Sequence, residues 1–177
     1  MPYGGSGGDG GIALPVDNAR TGWADYNDLA SASSPVIVTQ AGSPVVLPND
    51  ALGPQTIDTY LPVGVSSIWD GVDSFDWSQL PMGAIIDIRL DIELITTAVN
   101  TQIEVDLHLG TGAGSYIIPF IPETNFKDTT SHKVDTYHGI YLGDANTRDN
   151  GGQFKIVTDK DCSIIVNGWY CKILLRG

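Results

Sequence analysis

Positive charge is scarce in this 177-residue chain: nine lysines and arginines stand against 21 aspartates and glutamates, a formal net charge of −12. A field of that sign repels phosphate backbones and anionic headgroups, so neither a nucleic acid nor a membrane is expected as a partner. No apolar run approaches the ~18 residues that mark a membrane helix. Met1-Pro2-Tyr3-Gly4-Gly5-Ser6-Gly7-Gly8 offers neither a basic nor an apolar stretch. No secretory leader is therefore expected, and the protein is expected to be made and to mature in the cytoplasm. Cysteine is limited to Cys162 and Cys171, with no histidine beside them, which disfavours zinc. There is no Gly-x-Ser-x-Gly elbow and no His-Glu-x-x-His pair. The reading is a non-enzymatic protein with no cofactor and no metal.

What is present is a foldable β chain. Leucine, isoleucine, valine and phenylalanine number 48, well above the ~20% below which charged chains stay disordered. Glycine and proline number 31, short of the ~25–30% of low-complexity sequence. One domain is the simplest count, large enough to need no disulfide staple. Isoleucine and valine outnumber leucine by 31 to 13, a β-branched bias.

The clearest strand is Ile86–Leu94, which alternates apolar and polar without a break. Ile103–Leu109 repeats the pattern, and a turn over 96–101 predicts that the two form a hairpin. Gly110–Gly114 reads as the next turn, before Tyr116–Ile121. Further candidates are Val36–Val38, Val45–Leu47, Val134–Ile140, Phe154–Val157, Cys162–Val166 and Trp169–Leu175. Asn167-Gly168 is a strong two-residue hairpin signal between the last two. That hairpin sets the cysteines diagonally on one face, too far apart for an unstrained bridge, so two buried free thiols are expected. One helical turn is expected near Ala24–Ala30 and no other helix. Short strands punctuated by Gly, Pro, Asn and Asp indicate an all-β sandwich, jelly roll or barrel.

Several stretches imitate binding motifs. Gly110-Thr111-Gly112-Ala113-Gly114-Ser115 lacks the lysine and the following helix of a phosphate loop. Asp144–Gly151 resembles a calcium loop in composition, but Arg148 stands where an acceptor is needed. Asp70–Asp76 has the same turn-like composition. His108, His132 and His138 read as structural. The polar faces of the two clear strands gather Asp87, Arg89, Asp91 and Glu93 opposite Glu104, Asp106 and His108. A solvated face accounts for them; a basic partner surface or a bound cation is the functional alternative. Paired carboxylates without a cleft do not make a glycosidase site.

The first residues differ from the rest. Six glycines fall within residues 1–11, followed by Ile12-Ala13-Leu14-Pro15-Val16. Residues 1–21 are read as an extended glycine-rich arm whose apolar patch docks on a neighbour, and 22–177 as the folded domain. Twenty extended residues reach at most ~65–70 Å.

Gly22-Trp23-Ala24-Asp25-Tyr26-Asn27-Asp28-Leu29-Ala30 with Ser34-Pro35, and the closing Ile164–Ile173, frame a chain of short strands. In this layout the sequence resembles tailed-bacteriophage virion proteins with a tumour necrosis factor-like jelly roll, which serve as capsid decoration proteins, head fibres and tail-fibre tips. The resemblance implies an antiparallel jelly-roll sandwich, a homotrimer, a place on the capsid surface and the major capsid protein as partner. It implies no catalytic residues. The expected function is a capsid decoration or cement protein that bridges major capsid subunits. Its arm contacts would be Tyr3, Ile12, Leu14 and Val16, with Trp23 and Tyr26 at the arm's entry. The alternative is a head-fibre or tail-fibre tip that binds host glycan through loop aromatics such as Trp69, Trp77 or Tyr116. A lectin or carbohydrate-active enzyme on the same scaffold is a third reading.

Overall fold

The computed structural model describes residues 20–40 and 42–176. Tyr3, Ile12, Leu14, Val16 and the arm to which they belong lie outside the described residues. Nine strands, two short helices and one 3-10 turn follow one another: β1 (Thr21–Asn27), α1 (Ala30–Ser33), β2 (Val36–Val38), β3 (Val45–Val46), β4 (Ile85–Thr96), β5 (Thr101–Leu109), the 3-10 turn Gly112–Gly114, β6 (Tyr116–Phe126), β7 (Ser131–Tyr141), α2 (Ala145–Asn150), β8 (Gly152–Thr158) and β9 (Cys162–Leu174).

Two antiparallel sheets face each other. One runs β1-β9-β4-β7, with β2 also on β9; the other runs β3-β8-β5-β6. β1 and β2 both lie beside β9, β5 and β6 are neighbours in one sheet, and every other step in the chain crosses between the sheets, the order of a jelly-roll sandwich. The alternating residues explain the packing. Ile86, Ile88, Leu90, Ile92 and Leu94 of β4 and Ile103, Val105, Leu107 and Leu109 of β5 all point inward and are buried.

Three local readings are corrected. β4 and β5 are not a hairpin: β4 pairs with β7 and β9, and β5 with β6 and β8. The turn after Thr96 carries the chain from one sheet to the other, so each strand turns its apolar side to the same core. Asp87, Arg89, Asp91 and Glu93 therefore lie on the opposite outer face from Glu104, Asp106 and His108. Glu93 sits across from Lys133, and Asp106 across from Lys155. These two pairings set opposite charges side by side, whereas Asp91 faces Asp135 on β7.

Asn167-Gly168 is no turn either. β9 runs straight through it, and pairing with β4 slips there: Asp91 faces Gly168 and Ile92 faces Val166. Asn167 is the extra residue of a β-bulge. The bulge switches the inward phase, so Cys162, Ile164 and Val166 are buried before it and Trp169, Cys171 and Ile173 after it. Beside the bulge the outer neighbour of β9 breaks into β1 and β2. The Ser31 hydroxyl fills the gap, donating to the Val166 carbonyl at 3.1 Å and accepting from its N–H at 2.8 Å. The helical turn thus falls at Ala30–Ser33, and the chain stays extended to Asn27.

The cysteines are free and buried. They lie nine residues apart on one extended strand, ~30 Å along it, which no bridge spans. Burial pushes both thiols up, Cys171 most strongly.

The connection between β3 and β4 has no regular strand, yet it completes the core. Trp69, Phe75, Trp77 and Leu80 are buried, and Trp69 packs edge-on against Trp169 at 4.9 Å. Trp69 Nε1 donates to the Asn49 carbonyl at 2.8 Å. Trp69 and Trp77 are therefore core residues and are not available as a glycan platform, whereas Tyr116 is exposed.

Two outcomes follow from this packing. A Cβ on Gly168 would meet the Tyr26 carbonyl oxygen at 2.4 Å. Gly168→Ala is expected to lower thermal stability by about 1–3 kcal/mol, a larger loss than Asn167→Ala, in matched calorimetry scans. Both thiols are expected to resist Ellman's reagent in the native protein and to react fully in guanidinium; rapid native labelling at neutral pH would contradict their burial.

Candidate functional site: an aromatic sheet face

Both outer faces of the sandwich carry charged side chains. The outer face of the β3-β8-β5-β6 sheet sets Glu104, Asp106 and His108 beside Val157, Lys155 and Gln153, with the exposed Ile117 across from His108. Glu104 and Asp106 are raised from their ordinary values mainly by burial, and one Asp106 oxygen has no hydrogen-bond partner. His108 is lowered, by burial first and then by the Lys155 charge.

The outer face of the β1-β9-β4-β7 sheet carries aromatics in a continuous line. Tyr60 stacks on Trp23 with centroids 4.9 Å apart at 20°. Trp23 lies 5.8 Å from Tyr170. The Arg89 guanidinium sits 5.6 Å from the Tyr170 ring centroid. Tyr137 is directly across from Arg89 on β7. The register builds this line: Asp25, Tyr170, Arg89 and Tyr137 form one row across four strands, and Trp23, Lys172, Asp87 and Gly139 form the next. Tyr60 and Tyr137 are 58% and 54% exposed, so the line is rigid yet open. Stacked rings hold each other in place, which lowers the entropy lost when a partner covers them.

Polar groups frame it. Asp25 is raised from its ordinary 3.8, by burial first; the Asn27 side chain, donating at 2.6 Å, and Arg89 oppose the shift, while Asp91 adds to it. Tyr137 is pushed up by burial and then by its hydrogen bond to Asp87 and that group's charge.

Of the residues expected at the arm's entry, Trp23 is half-buried within this line. Tyr26, on the same strand, faces inward and is 2% exposed. Its hydroxyl accepts from the Ile68 N–H at 3.2 Å, and its carbonyl accepts from Asn49 Nδ2 at 2.8 Å. Tyr26 therefore fixes the entry strand to the core. Sequence reading missed Tyr60, Tyr137 and Tyr170. The polar phase of β7 and β9 held the signal for the last two, but only the strand order puts them side by side.

The motif-like loops have structural work. Asp144 caps α2, accepting from the Thr147 N–H at 2.8 Å, and these bonds hold its carboxyl below the ordinary range. Asn146 clamps the glycine-rich turn by bonds to the Thr111 N–H and carbonyl at 3.2 and 3.0 Å. Asp70 Oδ1 accepts from the Val72, Asp73 and Ser74 amides as an ordinary turn. His138 packs on Phe120, and His132 pairs with Asp128 at 2.8 Å. Among the described residues, no three His, Cys, Asp or Glu side chains are gathered as a metal site. Among the same residues, no helix is long and apolar enough to cross a membrane.

Asp25 gives a pH test. Its raised value means that the folded state holds the proton more tightly than the unfolded one. Its favourable contribution is complete below 3.8 and is lost as pH rises through the raised value. Asp25→Asn is expected to raise the melting temperature relative to the parent at pH 7 and to leave it nearly unchanged at pH 3.

No family model matches the chain, and no curated protein sequence matches it. Solved structures do. A particle structure of infectious bursal disease virus aligns with TM-score 0.50 and 10% identity over 99% of this chain and 36% of the viral one. The Gx strain of that virus aligns with TM-score 0.46 and 10% identity over 89% of this chain and 32% of the viral one. The Eiger tumour necrosis factor of S. frugiperda aligns with TM-score 0.47 and 8% identity over 89% of this chain and 94% of that one. The chain thus spans about a third of the viral proteins it matches. At such identities the likeness is one of fold: the chain has the jelly-roll fold also found in a viral particle protein.

Proposed function

We propose that this protein is a non-enzymatic structural component of a tailed-phage particle, a capsid decoration or cement protein. It works as a homotrimer that bridges major capsid subunits. The observation that carries this reading is the line of stacked aromatics on one outer sheet face. That face presents Tyr60, Trp23, Tyr170, Arg89 and Tyr137 in one line, set among Asp25, Asp87, Asp91 and Lys172. Tyrosine, tryptophan and arginine are the residues that dominate binding energy at protein interfaces. The fold likeness to a viral particle protein supports the same reading. The acidity of the chain favours solubility at high copy number, and trimeric display multiplies weak capsid contacts through effective concentration.

In this reading the aromatic face is the self-association surface. Sedimentation velocity is expected to give a trimer. Tyr137→Glu with Tyr170→Glu is expected to weaken association by at least about 2 kcal/mol, some thirty-fold, with unchanged circular dichroism. A trimer that survives both substitutions would reject this face. Immunogold labelling of intact particles is expected to decorate the head at many sites. Label confined to the tail or to one vertex would replace the cement role with adsorption, and unlabelled particles would remove the virion reading.

A further inference from the structure

The sheet that bears the aromatic line continues beyond β1 through residues 57–60, and a pocket forms there. Asp25 and Ile57 exchange backbone hydrogen bonds at 2.8 Å, and the Trp23 N–H donates to the Tyr60 carbonyl at 2.9 Å. Gly22 permits this approach: a Cβ there would meet the Tyr60 carbonyl oxygen and the Pro62 nitrogen at 2.5 Å. Turns then bond the Leu61 N–H to the Asp58 carbonyl at 3.2 Å and the Val65 N–H to the Pro62 carbonyl at 3.0 Å. Backbone bonds therefore hold the outer wall in place. The result is a concavity of roughly 410 Å³ lined by Trp23, Tyr60, Tyr170, Thr59, Val63 and Lys172. That volume falls within the ~300–1,000 Å³ of small-molecule sites.

The lining selects the guest. Tyr60 and Tyr170 flank Trp23 with centroids at 4.9 and 5.8 Å, and Tyr60 and Val63 are exposed. Ring faces and hydrogen-bonding groups thus share one small site. Among the described residues, no hydrogen bond or ion pair within the protein engages the side-chain polar atoms of Thr59, Tyr60, Tyr170 or Lys172. A pyranose is the complement of such a lining. Its axial C–H bonds make an apolar face that lies on an aromatic ring, and its hydroxyls donate and accept at the rim. An apolar peptide would cover the lysine and the hydroxyls without pairing them. A quaternary ammonium guest would meet the Lys172 charge. Lys172 itself lies across from Asp87, and the chain carries −12, which disfavours an anionic sugar.

We propose that the pocket walled by Trp23, Tyr60 and Tyr170 binds a neutral hexopyranose unit of a glycan, which stacks on the Tyr60 ring and hydrogen-bonds to Thr59 and Lys172. This goes beyond the assembly proposed above and needs neither a trimer nor a capsid. Tyr60 stands four strand spacings from Tyr137, ~19 Å, at the opposite edge of the face.

The test is titration of the full-length protein with maltopentaose, cellopentaose, mannopentaose and galactopentaose, followed by tryptophan emission and by calorimetry. Of the four tryptophans, Trp69, Trp77 and Trp169 are buried, so a change in emission reports Trp23. Saturable binding of at least one sugar is expected, with a Kd on the order of 0.1–1 mM. Tyr60→Ala is expected to weaken it at least about tenfold, and Tyr60→Phe, which keeps the ring, by no more than about threefold. Lys172→Ala is expected to weaken it about threefold or more, and serves alone should Tyr60→Ala fail to fold by circular dichroism. Tyr116→Ala, on the other sheet, is expected to leave it unchanged. No saturation by any of the four sugars up to about 20 mM would overturn the proposal. So would saturation indifferent to the Tyr60 and Lys172 substitutions, an equal loss with Tyr116→Ala, or tighter binding of a hexaproline peptide, which would make the pocket a peptide groove.

Discussion

The sandwich depends on β9. Three strands, β1, β2 and β4, hydrogen-bond to it, so its path sets the register of the sheet. Asn167 adds one residue to that path, and every side chain beyond it turns over. Without the extra residue, either Cys162, Ile164 and Val166 or Trp169, Cys171 and Ile173 would face water. The Asn167 side chain donates to Asp91 Oδ1 at 3.0 Å, and its carbonyl accepts from the Asp28 N–H at 3.2 Å, so the bulge is tied on both flanks. Gly168 lets Tyr26 and Asn27 approach more closely than any side chain would permit.

The same switch builds the outer surface. Because the phase changes at the bulge, Tyr170, Lys172 and Leu174 point outward in step with Arg89, Asp87 and Ile85. Tyr170 then meets Trp23 on one side and Arg89 on the other. The irregular stretch between β3 and β4 adds Tyr60 to the line while delivering Trp69, Phe75 and Trp77 to the core. One local irregularity therefore serves both the packing of the inner face and the aromatic character of the outer one.

A jelly roll is a scaffold with many uses, so function must be argued from its surfaces. Here both outer faces carry charged side chains, and the face of the β1-β9-β4-β7 sheet adds a stacked aromatic line. In the proposed role the aromatic face joins copies of the same chain, and a repeating particle lattice is where such contacts have most effect.

The sequence by itself determined that the chain is β, acidic and built from alternating strands, because period-2 patterning and charge are local properties. It determined the strands Val36–Val38 and Ile86–Leu94 and the exposure of Asp87, Arg89 and Glu104 to the outside, for the same reason. It did not determine which sheet each strand joins: alternation in Ile86–Leu94 and Ile103–Leu109 is satisfied equally by a hairpin and by two facing sheets. Nor did it separate a two-residue turn from a bulge at Asn167-Gly168, since glycine serves both. Only the tertiary structure decided that Trp69 and Trp77 are core and that Tyr60, Trp23, Tyr170, Arg89 and Tyr137 meet. Those outcomes depend on the long-range pairing of β9 with β1 and β4, and that pairing is fixed by what the whole sandwich must bury.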